Sequence, residues 1–228
     1  PAVSPDGSRV AFSCVEDGYV EIYVVDACGG AMKQLTHMGA SYARVCCFSE
    51  DGKRVYFTSS GATAEPSGQE LLVIDLDEGA PVRVKVGPVC DFDVRTVNGR
   101  EIYLVGRNTD DPGVAHWTKY QGGAGGEVWV GTPENLLRID AFDEMTGNLG
   151  NVQWLDDEHI IFTMATDENT NVFTAKIELV EGRVALSEVT QKTSSNRDYP
   201  VRYLNVNISS DPSHQARMAW TIGGVIHV

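Results

Sequence analysis

Ser4-Pro5-Asp6-Gly7-Ser8-Arg9-Val10-Ala11-Phe12 returns 45 residues on as Ser49-Glu50-Asp51-Gly52-Lys53-Arg54-Val55-Tyr56-Phe57. A chain that repeats itself at such a period builds one supersecondary unit several times over, and this period falls among propeller blades. Asp-Gly supplies the positive backbone dihedral that a two-residue hairpin turn demands. The polar pair after it leads out of the turn, and an apolar strand follows. Weaker strand–turn–strand copies occupy residues 94–104, 152–162 and 211–220.

A second apolar segment follows each copy, at 20–26, 71–75, 128–130, 172–177 and 225–228. Two of these end alike, in Ile22-Tyr23-Val24-Val25-Asp26 and Leu72-Val73-Ile74-Asp75. The next strand runs into a Leu-Thr or Val-Thr close, at Gln34-Leu35-Thr36 and Glu188-Val189-Thr190. Val, Ile, Tyr and Phe dominate these segments, as half-buried pleated surfaces favour. No long capped segment of helical period interrupts them, so helices are expected to be scarce. Each unit therefore reads as four short strands.

Four-stranded units can stack as a sandwich or radiate as blades. A lone sheet buries too little, whereas a ring lets each sheet pack on two neighbours. The expected fold is all-β, a β-propeller of four-stranded blades forming one domain, with blades over 1–37, 38–88, 89–140, 141–193 and 194–228. About five of six blades are expected, since the first unit lacks its opening strand and the last stops after its third. Pro1 is not an initiator residue, so the chain reads as part of a longer protein.

The third unit is interrupted between Gly106 and Gly126 by a stretch that holds Arg107, His116, Trp117 and Tyr120 among glycines. Long loops on a regular scaffold often carry function, and Arg with aromatic residues favours interfaces. These four residues are the candidate binding residues. They either contact a ligand or neighbouring subunit, or pin the loop to a blade face.

Composition and motifs narrow the chemistry. A net charge of −14 opposes nucleic acid and anionic lipid. No apolar run approaches the roughly 18–20 residues that span a bilayer. The five cysteines, Cys14, Cys28, Cys46, Cys47 and Cys90, form neither C-x-x-C nor an even framework, and read as buried free thiols of a reducing compartment. Gly122-Gly123-Ala124-Gly125-Gly126 is not followed by Lys-Ser or Lys-Thr, so it is no phosphate loop, and no cofactor is expected. Asp110, Asp111 and His116 make too weak a pattern for a metal site. Neither G-x-S-x-G nor H-E-x-x-H occurs, and no catalytic residue is assigned.

Ser4-Pro5-Asp6-Gly7 with Glu21-Ile22-Tyr23-Val24-Val25-Asp26 and Gln34-Leu35-Thr36 resembles the repeat of TolB-like propellers and propeller-bearing serine peptidases. Gly106-Arg107-Asn108-Thr109, then His116-Trp117, Tyr120, Gly122-Gly123, Gly126 and Val128-Trp129, resemble the third blade of the first propeller of the tricorn protease family. So do Asp198-Tyr199-Pro200-Val201-Arg202-Tyr203-Leu204-Asn205 and Gly223-Gly224-Val225-Ile226. This resemblance implies a six-bladed first propeller of a cytoplasmic, self-compartmentalising serine peptidase. It also implies a homo-hexamer that degrades proteasome-generated oligopeptides, with the propeller as a peptide channel or filter. The family's catalytic residues lie in later domains, and none maps here. The competing readings are a TolB-like propeller acting as a protein–protein scaffold, and the lid propeller of a prolyl-oligopeptidase-type enzyme.

Overall fold

The computed structural model describes residues 1–63, 69–77, 79–109, 125–145, 147–165, 169–180, 182–194, 201–207 and 217–228. His116, Trp117 and Tyr120 lie outside the described residues. Five antiparallel sheets follow one another along the described chain, each with its strands in sequence order. Blade 1 holds β1 (Ala2–Val3), β2 (Arg9–Glu16), β3 (Tyr19–Asp26) and β4 (Lys33–Gln34). Blade 2 holds β5 (Ala43–Phe48), β6 (Arg54–Ser59), β7 (Glu70–Asp75) and β8 (Val82–Pro88). Blade 3 holds β9 (Asp91–Val97), β10 (Arg100–Arg107), β11 (Glu127–Thr132) and β12 (Asn135–Arg138). Blade 4 holds β13 (Leu149–Trp154), β14 (His159–Ala165), β15 (Thr170–Val180) and β16 (Arg183–Gln191). Blade 5 has three strands, β17 (Val201–Asn207), β18 (Arg217–Ile222) and β19 (Val225–His227). The helical element among the described residues is a short 3₁₀ segment, Asp140–Glu144.

The first strand of each sheet packs on the first strand of the next: β1 on β5, β5 on β9, β9 on β13 and β13 on β17. These strands surround an axis from which the sheets radiate, and the fold is a propeller. The blade count implied by the tricorn resemblance is corrected here: the described residues form five blades, not six. The strand–turn–strand repeat sets that number, because each copy makes one sheet.

Both faces of blades 2, 3 and 4 are buried, so neighbouring residues on one strand enter different cores. On β6, Val55 and Phe57 pack with Ala11, Ile22 and Val24 of blade 1, whereas Tyr56 packs with Phe92 and Tyr103 of blade 3. On β14, Ile160 and Phe162 join Leu104 and Val130 of blade 3, whereas Ile161 joins Val201 and Leu204 of blade 5. This explains the uninterrupted apolar runs Val55-Tyr56-Phe57 and Ile160-Ile161-Phe162, where a half-exposed strand would alternate.

The repeated Ser-x-Asp-Gly phrase closes a longer turn than the expected two-residue hairpin. The Ser4 N–H donates to the Arg9 carbonyl at 2.9 Å, leaving a loop of Pro5 to Ser8. Ser4 Oγ accepts from the Arg9 N–H at 2.9 Å and donates to Asp6 at 2.6 Å. Asp6 accepts in turn from the Ser8 N–H at 3.0 Å. Blade 2 repeats this with Ser49, Asp51 and Arg54. Gly7 and Gly52 supply the positive φ, at 72° and 69°. Two-residue turns do occur, at Asp17-Gly18 and Asn98-Gly99, where both residues have positive φ.

The Leu-Thr close also has a mechanical role. Thr36 Oγ1 accepts from the Ile22 N–H at 2.9 Å and donates to the buried Glu21 carboxylate at 2.5 Å. Glu21 accepts further from the N–H groups of Met38 and Gly39. In blade 4, Thr193 Oγ1 accepts from the Val172 N–H at 3.0 Å and donates to Asn171. Gln34 and Gln191 each bond the threonine carbonyl two residues on. The counterpart of Gln34-Leu35-Thr36 is therefore Gln191-Lys192-Thr193, and not Glu188-Val189-Thr190. Thr36→Val should lower stability by about 1–3 kcal/mol, because it strands a buried N–H and removes a donor to Glu21. Urea unfolding of the chain checks this: Thr36→Ser should recover much of the loss, and an unaffected Val variant would contradict the role.

Candidate functional site

The inner strands are joined by polar side chains that reach backbone groups of the next blade. Asp93 on β9 accepts the Trp154 N–H of blade 4 at 2.8 Å. Gln153 on β13 donates to the Leu204 carbonyl and accepts from the Val206 N–H of blade 5, both at 2.9 Å. Glu50 accepts the Thr96 N–H at 2.9 Å, joining blade 2 to blade 3. Asn205 reaches the Pro1 carbonyl at 3.4 Å, which brings blade 5 beside blade 1. Single polar residues in apolar strands gave no sequence signal for these roles.

At the end of the ring that carries the 106–126 interruption, Arg44 of β5 pairs with the buried Asp91 of β9 at 2.8 Å. Arg44 also donates to the Cys90 carbonyl. Removing one partner of such a pair leaves the other charge poorly solvated. Arg107 ends β10 at the root of the interruption. Its guanidinium sits 4.7 Å from the Trp129 ring centroid and donates to the Val86 carbonyl of blade 2 at 2.8 Å. Arg107 thus clamps the loop root to two blades by stacking and hydrogen bonding. Thr109 is fully buried beside it, and a Cβ on Gly106 would run into the Thr109 hydroxyl. Glycine at 106 is what allows this close return of the chain.

Of the sequence candidates, the structure places Arg107, and the other three fall outside the described residues. His159 Nδ1 lies 2.9 Å from both oxygens of Asp156, but Asp156 also accepts the His159 N–H and closes the turn before β14. Among the described residues no serine hydroxyl bonds a histidine, and no group of three or more His, Cys, Asp or Glu is placed to hold a metal. No described helix is long and apolar enough to cross a membrane.

All five cysteines are free thiols; Cys28 is exposed, which corrects its expected burial, and the other four are half-buried. Burial pushes the Cys46 thiol up to about 11 and the Cys47 thiol well above its usual value. Neither is a ready nucleophile, because the thiolate is the reactive form. Cys47 lies against Asp93, whose carboxyl is raised by burial from 3.8 to about 6.

Five radiating sheets and inner strands latched side chain to backbone define a β-propeller. A putative TolB from Agrobacterium tumefaciens shares the fold with a TM-score of 0.58 at 15% identity, covering 98% of this chain and 73% of that one. TolB from Acinetobacter baumannii gives 0.57 at 17% identity, covering 97% and 50%. At such identities the likeness is one of fold alone.

Residues 1–224 match the family described as "Tricorn protease N-terminal beta propeller domain", and the chain belongs to that family. Tricorn protease homolog 1 of Streptomyces coelicolor is 30% identical over 161 residues, which cover 69% of this chain and 14% of that protein. Tricorn protease of Thermoplasma volcanium is 33% identical over 132 residues, covering 55% and 12%. The chain therefore spans a small part of the peptidase relatives it matches.

The raised Asp93 carboxyl makes a testable statement about pH. Folded, Asp93 releases its proton near 6, and unfolded near the ordinary carboxylate value. The native state holds the extra proton between those values, so ionisation of Asp93 costs stability as pH rises through them. Asp93→Asn retains an acceptor for Trp154 and removes that cost. The variant's stability relative to the parent chain should rise by about 2 kcal/mol between roughly pH 4.5 and 7.5. Chemical unfolding at both pH values reads this, and a constant difference would contradict it.

Proposed function

We propose that this propeller is a protein-interaction scaffold that contributes surface rather than chemistry to a tricorn-type protein. The observation that carries this reading is the root of the 106–126 interruption. Arg107, Trp129 and Val86 hold it on two blades, so the segment starts from a fixed base. A preorganised base lowers the ordering cost of an interface. Trp117 and Tyr120, with His116 beside them in the sequence, supply the aromatic types favoured at interface centres. The partner is another domain or subunit of the same protein, or a separate protein chain.

A second reading is favoured by the family match. Here the propeller serves as a channel or filter for oligopeptides in a cytoplasmic, homo-hexameric serine peptidase, with the chemistry in other domains. The Arg44–Asp91 pair sits on inner strands in this reading, where passing peptides would meet it.

Trp117→Ala in the whole protein separates the readings. The scaffold predicts association weakened by about tenfold or more in sedimentation at micromolar concentration, with thermal stability kept. Unchanged sedimentation with slowed turnover of fluorogenic oligopeptides would replace the scaffold by the channel. Unchanged sedimentation and unchanged turnover would remove the role of this loop.

A further inference from the structure

We draw no further inference here: the strongest candidate, the bulge on β17 that holds the exposed Tyr203 at a φ of 54° where the matching bulge of blade 4 has Asn151, carries none because nothing in the structure shows what covers that side chain.

Discussion

Hydrogen bonding across the inner edges of the blades is what the rest of this structure depends on. A blade's first strand has a paired edge toward its own second strand and an open edge toward the axis. Open edges expose backbone donors and acceptors that buried structure must satisfy. Asp93 meets the Trp154 N–H, and Gln153 meets both a carbonyl and an N–H of blade 5. Each blade is therefore completed by a side chain of its neighbour. The apolar cores follow the same logic, since every core cluster draws on two adjacent blades.

This division of labour explains the mixed character of the inner strands. Phe92 and Val94 on β9 serve the core, while Asp93 between them serves the axis side and the next blade. The cost is a carboxyl held in surroundings that oppose its charge. Arg44 and Asp91 manage the same problem by pairing. At the outer end of β10, Arg107 uses stacking on Trp129 instead, and so fixes where the interrupted segment leaves the ring.

The propeller was legible in the sequence because its turn chemistry repeats. Ser4 and Asp6 recur as Ser49 and Asp51, and the same hydrogen bonds recur with them. Turn length was not legible, because the Ser4 hydroxyl captures the Arg9 N–H and closes the loop two residues wider than Asp-Gly suggests. The blade 4 threonine was misplaced by three residues for a related reason. A register shift between Thr174 and Lys176, with Glu188 at positive φ, moves the closing residues past the apparent Val-Thr match. Arg107 stood out because it borders an interruption. Asp93 and Gln153 did not, since their roles exist only once a neighbouring blade is in place.

The inter-blade latches are most directly tested by amide hydrogen exchange at Trp154 and Val206. Both N–H groups bond to side chains on the first strand of the preceding blade. Exchange as slow as that of Phe162 and Ala175, deep in the blade 4 ladder, is the result expected, with Gln153→Ala accelerating Val206 and sparing Trp154. Exchange at the rate of the exposed turn amides, or a Val206 amide indifferent to the loss of Gln153, would contradict a ring held together at its inner edges.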